Sequence, residues 1–301
     1  MDPLLLLPDF LLIASGFALC RYTRLDRATW EMVEGLVYHL LFPALLFSAI
    51  VRSPLQPLDA LTMTAAGVSL CVLGWLLTLL VGKWPGIDRH LHASGSQVAF
   101  RFNSYIALAL ADRLMGAPGL ALIAILIAVC VPLCNAGAVW CLARHGGQDT
   151  WKEVLRNPLI LSTAGGLLVR MSGLHLPDWT MDTVARIGQA ALPLGLLAVG
   201  AGLKMTGLTA APGLGATLLG IRHLVLPLVA MGMGVVLALP AQQQAILLAF
   251  GALPTASSAY VLAVRMGGNG PFVAGLITVS TLLGMVTVPL WVTALDWLQL
   301  V

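Results

Sequence analysis

Ten runs of apolar residues divide the 301-residue chain, near 4–20, 33–51, 60–81, 95–113, 118–142, 157–173, 184–204, 212–238, 242–264 and 271–297. Each is close to the ~20 residues that carry a helix across about 30 Å of hydrocarbon. In hydrocarbon every backbone N–H and C=O must find a partner inside the protein, which leaves helices or a closed barrel. The runs are continuous and lack the ten-residue alternation of barrel strands, so the chain reads as an all-α membrane protein. Composition agrees. Apolar residues make up 59% and charged residues 10% of the chain, where about 45–50% and about 25% are ordinary. So few charges cannot cover a soluble domain, which excludes a soluble enzyme, a disordered chain and a nucleic-acid partner. The net charge of +3 is too small to attract a polyanion.

Short turns such as Arg52-Ser53-Pro54 and Gly267-Gly268-Asn269-Gly270-Pro271 separate the runs. The longest polar connections, 82–94 and 143–156, have room for a short interfacial helix. The first run reads as a retained anchor rather than a signal peptide. Asp2 stands where a basic segment would precede it, and Arg21, Arg24 and Arg27 follow. Connections after odd-numbered runs carry ten basic residues: Arg21, Arg24, Arg27, Lys83, Arg89, Arg144, Lys152, Arg156, Lys204 and Arg265. The other face carries four, Arg52, Arg113, Arg170 and Arg186. The positive-inside rule therefore places both termini on the non-cytoplasmic side.

The halves repeat weakly. Pro8 and Pro158, Ala14-Ser15-Gly16 and Ala164-Gly165-Gly166, and Pro43 and Pro193 are all 150 residues apart. The offset then drifts to 154 for Ser104 and Ser258, 153 for Pro118 and Pro271, and 157 for Pro132 and Pro289. Five runs per half is an odd number, so the second half enters the bilayer from the opposite side. Such inverted repeats characterise secondary transporters, whose two halves exchange conformations around a central site.

Runs 4 and 9 are the least apolar. Phe100-Arg101-Phe102-Asn103-Ser104-Tyr105 interrupts run 4. A helix begun near residue 94 would place Asn103 about 14 Å deep. In run 9, Pro254-Thr255-Ala256-Ser257-Ser258 lies at a comparable depth. Pro254 lacks an N–H and clashes with the carbonyl of Phe250, so the helix should break or kink there. Breaks at matching positions of two repeats mark a transporter's binding site. Asn103, Ser104, Thr255, Ser257 and Ser258 are therefore the candidate substrate ligands, with Arg101 supplying charge.

Arg101 and Arg222 lie inside runs, while Asp9, Glu34, Asp59, Asp112 and Asp296 sit toward run ends. Intramembrane arginines face a cavity or a partner. Arg101 could instead snorkel to the nearby face, and Arg222 could cap backbone carbonyls. Two cations without acidic partners favour an anionic substrate. His39 and His223 are either satisfied core histidines or proton carriers. Cys20, Cys71, Cys130, Cys134 and Cys141 read as small apolar core residues; nothing calls for a metal or a cofactor. Small residues in run 7 (Gly195, Ala198, Gly200, Ala201, Gly202) and run 8 (Gly232, Gly234) serve either close packing or a dimer seam.

Several segments resemble the auxin efflux carrier family. They are Leu40-Leu41-Phe42-Pro43-Ala44-Leu45-Leu46-Phe47, Gly188-Gln189-Ala190-Ala191-Leu192-Pro193-Leu194, Gly200-Ala201-Gly202-Leu203, Leu253-Pro254-Thr255-Ala256 and Arg156-Asn157-Pro158-Leu159-Ile160. The resemblance spans essentially the whole chain. It implies ten transmembrane helices in two inverted five-helix repeats, 1–146 and 147–301, with helices 4 and 9 broken and crossing. This is the architecture of sodium–proton antiporters and bile-acid symporters. The resemblance also implies a scaffold of spans 1, 2, 6 and 7 with homodimer contacts, and a transport domain of spans 3–5 and 8–10 that moves as an elevator. Asn103 and Pro254 match the family's crossover Asn and Pro. Phe102 stands where the plant carriers have a crossover Pro, and Thr255 where they have Gln. The expectation is an inner-membrane secondary transporter exporting, or passing as a uniporter, a small organic anion, a carboxylate in chemical class. The alternatives are a sodium- or proton-coupled symporter and, more remotely, a non-transporting membrane sensor.

Overall fold

The computed structural model describes residues 7–52, 57–142, 158–174, 176–204 and 210–299. Among these the protein is helical throughout, with no strand. Asp2, Ser53, Pro54, Arg144, Lys152, Arg156, Asn157, the 143–156 connection and the expected boundary at 146/147 lie outside the described residues.

Six helical stretches are long and apolar enough to cross a membrane: Arg27–Arg52, Leu61–Val81, Ala117–Leu142, Asp178–Ala201, Pro212–Val236 and Gly270–Leu295. The other four expected runs fall on shorter or interrupted helices. Helix α1 (Leu7–Tyr22) leads by a turn to α2 (Arg27–Leu36), a π-helical turn (Val37–Leu41) and α3 (Phe42–Arg52). Asp26 caps α2, accepting from the Thr29 N–H. That hydrogen bond is the main reason its carboxyl is held below the usual carboxylate range. Helix α4 (Pro57–Val81) follows.

Residues 82–94 include the start of α5 (Arg89–Gly95), capped by the Asp88 carboxylate. Run 4 is thus α5, α6 (Gln97–Phe100) and, after a gap, α7 (Ser104–Met115). The helical path begins at Arg89, five residues before the expected start. The rise from there to Phe100 is about 17 Å at 1.5 Å per residue, which takes the interruption deep into the protein. Helix α8 (Ala117–Leu142) closes the first half. The second contains α9 (Pro158–Met171), α10 (Asp178–Gln189), α11 (Ala191–Ala201), α12 (Pro212–Gly220), a second π turn (Ile221–Val225), α13 (Leu226–Val236), α14 (Ala241–Ala252), α15 (Ser258–Arg265) and α16 (Gly270–Gln299).

Helix α8 is apolar around its circumference and packs on α4, α7 and α3, as expected of a helix surrounded by others. Helices α9 and α10 each pack on α3, and α1 lies along α11. That last contact needs glycine on both sides. A Cβ at Gly16 would fall 1.9 Å from the Leu197 carbonyl oxygen, and one at Gly200 would fall 1.8 Å from that of Ile13. Ala198 and Ala201 are buried with Trp30. The small residues of run 7 therefore serve close packing within the chain. Gly195 does the same on another face, where its Cβ would meet the Tyr105 ring at 2.7 Å.

Each π turn precedes a proline, Pro43 or Pro227. The N–H of Phe42 reaches back five residues to Val37, and that of Leu226 to Ile221. The extra residue in the turn shifts which side chains face inward. In the second π turn it turns two adjacent polar residues, Arg222 and His223, into the protein, leaving Leu224 and Val225 exposed.

Candidate functional site

The helix gap in run 4 covers residues 101–103, and Arg101 and Asn103 have extended backbones. The gap in run 9 covers 253–257. Leu253 is extended (φ −54°, ψ 141°), the conformation a following proline imposes. The two gaps meet: the Asn103 N–H donates to the Pro254 carbonyl at 2.9 Å. Phe102 stacks edge-on against Phe250 with ring centroids 4.6 Å apart. Phe102 thus clamps one broken segment to the other. Behind them α16 comes close, since a Cβ at Gly284 would lie 3.2 Å from the Pro254 ring.

Asn103 has three uses. Its Oδ1 accepts from the Tyr105 and Ile106 N–H groups at 2.9 and 3.2 Å, capping α7. Its backbone N–H holds Pro254, and its Nδ2 donates to Ser257 Oγ at a long 3.4 Å. The cap leaves the amide's donor side as the part of Asn103 able to engage a ligand. Ser104 opens α7, half-buried, and its hydroxyl makes no hydrogen bond among the described residues.

Arg101 is buried, with 6% of its surface exposed. Nη1 donates to Gln97 Oε1 at 2.8 Å and Nη2 to Ser258 Oγ at 2.9 Å. Gln97 in turn donates to the carbonyls of Ser94 and Ala259, tying α6 to α15. The guanidinium does not snorkel out of the protein; it is held across the two broken runs by neutral groups. No acidic residue among the described ones pairs with it. Ser258, the partner of Nη2, is itself exposed.

Arg222 has different surroundings. Nε donates to the Leu253 carbonyl, and Nη2 to the Phe250 carbonyl at 3.1 Å. Phe250 is four residues before Pro254, so its carbonyl is the one that the proline deprives of a helical partner. Arg222 replaces that donor. Beside it, His223 hydrogen-bonds Thr287 Oγ1 through Nδ1 at 3.1 Å and Ser280 Oγ through Nε2 at 2.8 Å. Ser280 Oγ also accepts from the Thr255 N–H at 2.9 Å. The His223 carbonyl, freed by Pro227, accepts from Trp291 Nε1 at 2.9 Å. Thr255 is fully buried, yet its hydroxyl has no partner among the described residues. An orphaned hydroxyl beside two helix breaks is a group still open to a ligand.

His39 lies apart from the crossing. It is exposed on the first π turn, with Nδ1 on the carbonyl of Gly35 at 2.9 Å. Cys71, Cys130, Cys134 and Cys141 are buried and all five cysteines are free. Cys134 also donates to the Phe100 carbonyl at the end of α6, at 3.4 Å. Among the described residues no three His, Cys, Asp or Glu side chains gather as metal ligands.

Arg101, Asn103, Thr255, Ser257 and Ser258 therefore come together at one crossing, with Ser104 beside them. Reading the sequence missed Gln97, Ser280, Thr287 and Trp291. Gln97 was legible in principle, one helical turn before Arg101. The other three lie on α16, far along the chain, and only packing brings them to the break.

Two comparisons bear on this geometry. The family described as "Membrane transport protein" matches residues 142–292. A relative from Rhizobium meliloti (strain 1021), named "Putative malonate transporter", is 26% identical over 308 residues, covering 94% of this chain and 92% of the relative.

Proposed function

The chain belongs to the membrane transport protein family, the auxin efflux carriers, and from that premise we propose that it moves a small carboxylate across the inner membrane by alternating access. It is a multi-pass membrane protein and its family transports rather than catalyses. The observation that carries the reading is Arg101: a buried cation at the crossing of two broken helices that, among the described residues, is hydrogen-bonded only to neutral groups and paired with no acid. A carboxylate supplies the missing charge and two acceptor oxygens for the remaining guanidinium donors. The Asn103 Nδ2, Ser104, Thr255, Ser257 and Ser258 complete the site. The similarity to a protein named for malonate supports a carboxylate in particular.

In this reading ten spans form two inverted repeats, 1–146 and 147–301, with both termini outside the cytoplasm. Spans 1, 2, 6 and 7 make a scaffold that pairs with a second copy, and the remaining spans move as an elevator carrying the crossing. The grouping is supported by the packing of α1 on α11 and of α3 on α9 and α10. If transport is uncoupled, an inside-negative potential drives an anion outward by ~2.3 kcal/mol per charge per 100 mV, which makes export or uniport the default.

The test is malonate uptake into proteoliposomes. Arg101→Ala and Asn103→Ala should each lower initial uptake by ~10-fold or more, equivalent to about 1.4 kcal/mol, with the protein still monodisperse. Undiminished uptake by both variants would remove the site assignment.

A further inference from the structure

The two buried arginines differ in what they hold, and the difference bears on coupling. Arg101 holds side chains and keeps donors to spare. Arg222 is fastened to backbone carbonyls, those of Phe250 and Leu253, where α14 ends at Pro254. The end of a helix carries unpaired carbonyls and a partial negative charge. In transporters with discontinuous helices, such carbonyls are where coupling cations bind. Here a guanidinium already occupies them, delivered by the π turn Ile221–Val225 and 2% exposed. A mobile cation arriving at these oxygens would meet a fixed positive charge and find both occupied. Both carbonyls lie on run 9, one of the two broken runs, and Arg222 reaches them from run 8.

We infer that Arg222 is a tethered substitute for a coupling cation: it neutralises the broken end of α14 throughout the cycle, so transport draws on no monovalent cation gradient. The inference rests on the transporter reading given above, but its decisive measurement needs no cargo. Removing the guanidinium should leave the two carbonyls as a vacancy that a small monovalent cation can fill. A ligand that binds only the folded state raises its melting temperature.

Thermal unfolding of the purified full chain in detergent is therefore compared in equimolar sodium, lithium and N-methyl-D-glucamine chloride. The wild-type protein and Arg222→Lys, which keeps a tethered cation, should melt alike in all three salts. Arg222→Gln should melt several degrees higher in sodium or lithium than in N-methyl-D-glucamine, or be recoverable only with the small cation present. Equal melting of Arg222→Gln in every salt, or a sodium-specific rise in the wild type, overturns the inference. In proteoliposomes, wild-type malonate uptake should be the same with sodium as with N-methyl-D-glucamine. An order-of-magnitude loss on removing sodium also overturns it, and this arm stands if Arg222→Gln does not fold. Absent malonate uptake with a cation-responsive Arg222→Gln would instead count against the choice of cargo and leave the tethered cation standing.

Discussion

At the residue scale, the interior is organised by what its prolines take away. Pro254 removes the donor for the Phe250 carbonyl and Pro227 the donor for that of His223. Each is replaced by a side chain from a distant element, Arg222 in the first case and Trp291 in the second. Neither replacement is decorative, because a buried acceptor left without a donor costs about 1–3 kcal/mol. Trp291→Phe keeps most of the ring's packing and deletes the Nε1–H. It should lower stability by about 1–2 kcal/mol, within the range for such a loss, read as a lower melting temperature in detergent. An unchanged melting temperature would mean that the His223 carbonyl finds another donor. The prolines and their freed carbonyls were readable along the chain. Their new donors were not, since Trp291 is 68 residues from His223.

At the element scale, α7 is a half-helix whose N-terminus sits inside the protein, and Asn103 is both its cap and a candidate ligand. These two roles can be separated. Asn103→Asp retains the Oδ1 acceptor for Tyr105 and Ile106, and its charge favours a helix N-terminus. The same charge repels an anion and removes the Nδ2 donor. Asn103→Ala loses the cap, at about 0.5–2 kcal/mol. The expected pattern is that Asp melts at or near the wild-type temperature while Ala melts lower, and that both fail to take up malonate. Uptake by the Asp variant at the wild-type rate would show that the amide's donor side does not meet the cargo. The interruption itself was legible from Arg101, Asn103 and Pro254, because polar groups and a proline have no place in a lipid-facing helix. Its depth was less so. The helix leading to it starts at Arg89 rather than near 94, because the Asp88 carboxylate caps it there.

At the scale of the whole molecule, α1 comes from the first half and α11 from the second, and they touch backbone to backbone through Gly16 and Gly200. Any side chain at either position must push the helices apart. Gly200→Leu should destabilise the protein by roughly 1–3 kcal/mol or more, the usual cost of overpacking. Gly213→Leu, where a Cβ meets nothing within 4 Å, serves as the control. Equal melting of the two variants would contradict the contact. What could be known from residue order was everything that depends on solvent and local chemistry: helices crossing a bilayer, the two polar interruptions, and the scarcity of acids inside the runs, which leaves Arg101 and Arg222 without an acidic partner among the described residues. Hydrocarbon makes these decisions locally, since a backbone group facing lipid must be satisfied within its own helix. How each buried arginine is held was decided by packing. Arg101 and Arg222 are alike in sequence, both basic residues within apolar runs. They differ because the fold places neutral side chains around one guanidinium and helix-end carbonyls against the other.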